Sequence, residues 1–107
     1  MSRTLERILE LVSRGEILVS RHASRELAAD GILLYEVIDG LTKAKVVEDS
    51  PQFPKGPCVL VLENDGSGRP IHALWGIPKG QSSPAVLITA YRPEPEKWTN
   101  DFNRRRR

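Results

Sequence analysis

The stretch VSRHASREL, residues 19–27, concentrates side chains that can bind and cleave a phosphodiester. On a helix, Arg21 and Arg25 lie four residues apart on one face, and His22 lies on the next. Two guanidinium groups can hold a phosphate, and an imidazole can move a proton near neutral pH. Metal-free RNA cleavage needs a base, an acid and cations for the developing charge. The stretch therefore predicts an electropositive groove in which Arg21 and Arg25 bind RNA and His22 is catalytic.

The same residues also fit a surface helix with no catalytic role. In that interpretation His22 packs at the edge of a sheet, and the arginines are solvated or pair with Glu26 and Asp30. Clusters of titratable groups indicate function only statistically, so both interpretations stay open.

A second histidine, His72, lies inside the strand-like segment PIHALW. Alternation along a strand places it opposite a set of apolar side chains that form the better core face. That set is Ile71, Ala73, Trp75 and Ile77. His72 is therefore expected to face the open side of the sheet, where a lone histidine can be either structural or catalytic.

The elements that must position these residues follow from hydrophobic periodicity and turn signals. Helical spacing predicts a first helix over Thr4–Arg14, a second that Ser20 caps and that runs through Ala29, and a short third helix at Leu34–Leu41. A short strand is expected at Ile17–Val19 and a helical turn at Glu96–Asn103. Alternating or continuous apolar residues then predict strands at Ala44–Asp49, Cys58–Asn64, Pro70–Ile77 and Ala85–Tyr91.

This order, helices first and then a meander, predicts an α+β fold: two to three N-terminal helices packed on one face of a four-stranded antiparallel sheet. The 107 residues are enough for one core. We expect a single domain over residues 1–93 and a C-terminal extension over residues 94–107 whose arginine-rich tail is mobile. Trp98 is expected to pin that extension, and Trp75 to lie in the core.

Charge and composition narrow the function classes. The net charge of +2 depends on four arginines at the C-terminus; without them, twelve basic residues face fourteen acidic ones, a net charge of −2. Any contact with nucleic acid must therefore come from a local patch or the tail. Two distant histidines and one cysteine predict no metal site and no cofactor. The absence of a long apolar run predicts a cytoplasmic protein with no membrane contact.

The motifs SRHASREL, GRPIHALWGI and VLITAYRP, in this order, resemble the bacterial domain-of-unknown-function family 4258. The resemblance runs from about Ile17 to Pro93. It implies the compact α+β fold of the RelE, ParE and BrnT toxins of bacterial toxin–antitoxin pairs. One departure is Leu33, where the family often has a capping Ser or Thr.

RelE-like toxins cleave RNA with Arg, Lys, Tyr or His side chains on the sheet. The resemblance therefore implies His72 and Tyr91 as further catalytic candidates and Arg92 as an RNA-binding one, without a residue-by-residue transfer of roles. Arg69 and Lys79 are of matching types. In strand geometry, Tyr91 and Arg92 face opposite ways.

Three functions compete. The first is a toxin-like, metal-independent RNA endonuclease with an antitoxin partner and RNA or the ribosome as target. The second is a non-catalytic binding or interaction module that keeps the toxin-like fold. The third, a ParE-like poison of gyrase, ranks lowest. The basic cluster in VSRHASREL favours the first, and the near-neutral body favours the second. A small antitoxin-like reading frame beside the gene would support the first.

Overall fold

A computed structural model describes residues 2–106 of the chain as an α+β fold. The helices are α1 (Arg3–Ser13), α2 (Arg21–Asp30) and α3 (Leu34–Gly40). The strands are β1 (Ile17–Val19), β2 (Lys45–Ser50), β3 (Cys58–Asn64), β4 (Pro70–Gly76) and β5 (Ala85–Tyr91). The predicted α+β class is confirmed, and periodicity placed these helices and strands to within one residue.

The sheet is five-stranded and mixed, in the order β1-β5-β4-β3-β2. Strands β2 to β5 form the expected antiparallel meander, but β1 pairs with β5 in parallel, Ile17 opposite Ala85. The prediction of a four-stranded antiparallel sheet is therefore wrong. A three-residue strand is too short to show alternation, and its partner lies at the other end of the chain.

One face of the sheet carries the core. Apolar side chains from α1, α2 and α3 are buried there in one cluster with Val61 of β3, Trp75 of β4 and Leu87 of β5. The whole Ile71, Ala73, Trp75 and Ile77 set belongs to this core, so the predicted face of β4 is confirmed. Within residues 2–106, no helix has the length and apolar character needed to cross a membrane.

Helix α2 covers the part of β5 that β1 leaves unpaired. The Ser20 hydroxyl donates to the Ile88 carbonyl at 2.8 Å and accepts from the Ala23 N–H at 2.9 Å, which confirms Ser20 as the helix cap. At the other end, the backbone N–H of Arg92 donates to the Asp30 carboxylate at 2.8 Å. These contacts fix α2 alongside β5 and protect a strand edge that would otherwise be open.

Helix α3 begins without a side-chain cap on its first turn. Leu33 occupies the cap position and has no acceptor, so only the reciprocal bond forms: the Glu36 carboxylate accepts the Leu33 N–H at 3.0 Å. The helix nonetheless begins at Leu34, as its periodicity predicts.

Candidate functional site

His72 lies at the centre of the candidate site and is completely buried. Its Nε2 is 2.8 Å from the Phe102 carbonyl oxygen, and its Nδ1 is 3.2 Å from the Tyr91 hydroxyl. Because a carbonyl only accepts hydrogen bonds, Nε2 carries a proton. Burial lowers the pKa of His72 from 6.5, which favours the neutral ring, and in the neutral ring Nδ1 accepts the Tyr91 O–H.

Residues 94–106, the C-terminal hairpin, cover His72 from the open face of the sheet. The hairpin is closed by a β-bridge between Trp98 and Arg105, so the predicted helical turn at Glu96–Asn103 is wrong. The Trp98 ring packs edge-on against His72, with ring centroids 4.3 Å apart, and is buried, so Trp98 holds the C-terminal segment to the sheet as predicted. Arg105 lies over the Trp98 ring and its Nε is 2.8 Å from Glu48 of β2.

Tyr91 lines a cleft between α2 and the C-terminal hairpin. The cleft has a volume of about 610 Å³. Glu26 and Asp30 form its α2 wall, and Lys97 and Arg105 belong to the opposite one. Burial raises the pKa of the Tyr91 phenol, so the hydroxyl keeps its proton at neutral pH. The cleft thus presents a phenol whose proton is already directed at an imidazole.

Arg92, predicted to bind RNA, is engaged in a structural contact. Its guanidinium lies 2.7 Å from the Asp65 carboxylate in the β3–β4 turn, and it also donates to the Pro70 carbonyl at 3.2 Å. The backbone N–H of Arg69 and this guanidinium both hold the pKa of Asp65 below its ordinary value. The side chain of Arg92 is only 17% exposed, so this arginine ties the turn to the end of β5.

The cluster at the start of α2 lies apart from His72. Arg21, His22 and Arg25 are exposed, and none of them lines the cleft. In residues 2–106 no ion pair involves Arg21 or Arg25. The acidic side chains that the alternative interpretation paired with these arginines face the cleft instead. The structure therefore joins Tyr91 to His72 and leaves the basic cluster on the outer surface.

Comparison with known proteins decides the family. The family model for a domain of unknown function (DUF4258) matches residues 19–92. The chain belongs to the DUF4258 family. No curated protein matches the chain. No solved structure matches it either, so the likeness to RelE and ParE toxins stays a prediction from the sequence.

The DUF4258 match spans every candidate that the sequence indicated. It begins just before α2 and ends at Arg92, the last of those candidates. The residues that cover His72 from the hairpin, Trp98, Phe102 and Arg105, lie beyond it. In this DUF4258 protein, His72 and Tyr91 of the candidate site thus come from the matched region, and the residues that cover them come from outside it.

Sequence reasoning missed one buried acid in the DUF4258 domain. Glu63 of β3 is 3% exposed, and neither carboxylate oxygen has a hydrogen-bond partner in residues 2–106. Burial raises its pKa to about 8, so it is protonated at neutral pH. Strand alternation could have identified it, because Glu63 follows Val59 and Val61 at every second position on the core face.

Metal ligation has no support from side-chain clustering. Across residues 2–106, no three or more His, Cys, Asp or Glu side chains come together as a group that could hold a metal ion. Cys58 is a free thiol whose pKa is raised, mainly by burial and then by Asp49. A raised pKa keeps a thiol protonated and weakens it as a ligand.

Proposed function

We propose that this DUF4258 protein is a non-catalytic RNA-binding module that contacts phosphates through the outer face of α2. The observation that carries the proposal is the complete burial of His72, with both ring nitrogens bonded within the protein. A general base must reach the proton that it removes. His72 has no exposed atom in this state, and Arg92 is held by Asp65.

The outer face of α2 supports the binding role. Arg21 and Arg25 are exposed, four residues apart and without an acidic partner in the described chain. Their guanidinium groups are free to bind phosphates, and the helix N-terminus adds a partial positive charge. His22 is exposed next to Arg21 and adds an imidazole that can hydrogen-bond to a phosphate.

Loss of this basic pair is expected to weaken RNA binding. We predict that Arg21→Ala/Arg25→Ala lowers affinity for a labelled single-stranded RNA about tenfold at low salt. Each phosphate contact to a single strand contributes about 0.7 to the salt slope, so the slope should fall by roughly 1.4. Fluorescence anisotropy across a salt series measures both quantities.

The matched control is Arg3→Ala/Arg7→Ala on α1, a pair with the same spacing on another helix. That variant should retain the affinity and slope of the parent. A parent that binds no RNA at low salt, or two variants weakened equally, would contradict the proposal.

The second candidate function is a metal-independent endoribonuclease restrained by an antitoxin partner. The observation that favours it is Tyr91, which lines the cleft and whose hydroxyl donates to His72. A substrate in the cleft would meet an oxygen whose proton can pass to an imidazole. In this function Tyr91→Phe should cost about 10²–10⁴-fold in cleavage rate.

The two functions predict different results on induced expression. For a binding module, cells that express the parent and cells that express Tyr91→Phe should grow equally, and neither protein should cleave RNA in the presence of a metal chelator. If the parent arrests growth and Tyr91→Phe relieves the arrest, the protein is a nuclease and the proposal of a binding module is wrong. Thermal melts of both proteins show whether each is folded.

A further inference from the structure

We propose that the C-terminal hairpin is a proton-sensitive lid, closed over Tyr91 and His72 while His72 is neutral and opened when His72 takes up a proton. The inference concerns access to the cleft and does not depend on RNA binding. It rests on how the hairpin is held to the sheet and on which groups surround the imidazole.

The neutral ring accounts for both hydrogen bonds that His72 makes in the closed state. Nδ1 must be without a proton to accept from Tyr91, while Nε2 donates to Phe102 at 2.8 Å. A second proton, on Nδ1, would reverse the bond to Tyr91, so that the phenol oxygen accepts and its O–H must turn toward another acceptor. It would also place a charge in a position with no exposure to solvent.

The charged groups around His72 do not compensate such a charge. Arg105 of the hairpin repels it, and Glu48 of β2, which would attract it, is already paired with Arg105 at 2.8 and 3.2 Å. The neighbouring strands contribute Leu62 of β3 and the phenol of Tyr91 from β5. Protonated His72 is therefore more stable where water can reach it.

The hairpin can move without dismantling the sheet. Its internal bonds, from the Thr99 N–H to the Arg104 carbonyl and from the Arg106 N–H to the Lys97 carbonyl, are both 2.8 Å long. Its attachment to the sheet consists of the Trp98 ring, the Phe102 carbonyl and the exposed pair of Arg105 with Glu48. His72 itself belongs to β4, which is paired on both sides. Opening the hairpin is thus the lower-cost route to hydrating the imidazole.

The direction of the pH dependence follows from the lowered pKa of His72. The closed state binds fewer protons than the open state below pH 6.5, where a hydrated histidine becomes charged. The closed state therefore has its full stability above pH 6.5 and loses stability as the pH falls below it. The loss continues until the pH passes the pKa of the closed state.

Amide hydrogen exchange followed by NMR between pH 7.5 and 4.5 tests the lid. Because an isolated two-stranded hairpin is only marginally stable in water, its Thr99 and Arg106 amides should exchange once it leaves the sheet. Their protection, corrected for the intrinsic pH dependence of exchange, should fall up to about tenfold per pH unit once His72 begins to titrate. Protection of Val61 and Ala73 in the central strands should persist. The imidazole shifts of His72 should titrate with the same midpoint as hairpin opening.

His72→Gln is the matched variant, because its amide is neutral at every pH and can donate to the Phe102 carbonyl. Its hairpin should keep constant protection, and Trp98→Ala should show the open state already at pH 7.5. The lid proposal is wrong if hairpin protection in the parent stays constant, or if the hairpin and the core lose protection together. It is also wrong if His72→Gln shows equal pH dependence, or if the His72 midpoint differs from the opening midpoint. The last criterion uses the parent alone and holds even if the variants fail to fold.

Discussion

Glu63→Gln is expected to stabilise the protein strongly at pH 8 and hardly at all at pH 4.5. In the unfolded chain the carboxyl ionises near pH 4.5, whereas in the folded protein burial holds its pKa at about 8. Between these values the folded state binds more protons, so the free energy of unfolding falls as pH rises. At about 1.4 kcal/mol per pKa unit, the full loss approaches roughly 5 kcal/mol.

Glutamine removes this dependence because it is neutral at both pH values. Chemical denaturation at pH 4.5, 6 and 8 measures the free energy of unfolding of parent and variant. Subtracting one from the other removes the contribution of groups that titrate in both proteins, such as His72. Glu96→Gln, at an exposed position, is the control and should follow the parent. If the Glu63→Gln and parent curves stay parallel from pH 4.5 to 8, the carboxyl is hydrated in the folded state and the prediction fails.

Trp75→Ala should cost about 3–5 kcal/mol, the usual loss when a large buried aromatic side chain is truncated. Trp75 has no exposed surface and is the largest fully buried side chain in the described chain. Its indole N–H has no hydrogen-bond partner there, so its contribution comes from packing alone.

Trp75→Phe provides the control, because it keeps an aromatic ring and removes a donor that bonds to nothing. We expect it to cost less than half as much as Trp75→Ala. Urea denaturation with a constant m-value measures both changes. A Trp75→Ala curve that overlays the parent would mean that the ring contributes nothing to the core.

Local pattern was sufficient for most elements of this fold. The spacing of Leu5, Ile8 and Leu11 predicts α1, and alternation assigns Trp75 to the core. Pattern located β1 at Ile17–Val19 but could not predict its pairing with β5, and it did not predict the C-terminal hairpin. Both pairings join residues far apart in the sequence, Ile17 with Ala85 and the hairpin with His72, and no short window contains them.

For the candidate site too, the sequence identified residues but not the contacts between them. The sequence placed His72 on the open face, but its pairing opposite Tyr91 depends on the β4–β5 register and on an irregularity between Leu74 and Trp75. The engagement of Arg92 by Asp65 depends on how the β3–β4 turn folds back. Residue type identified these side chains as able to act, and only tertiary structure showed which are free to do so.

The parallel pairing of β1 with β5 also sets the order in which the chain can fold during synthesis. Ser20, next to β1, bonds to Ile88, 68 residues further along the chain. Strands β2, β3 and β4 can pair as soon as they leave the ribosome, because neighbouring strands are joined by short connections. Helix α2 and β1 must wait for β5, among the last strands to emerge. Until then the apolar faces of α1 and α2 have an incomplete sheet to pack on, and this is the interval in which the nascent protein is most exposed to misfolding.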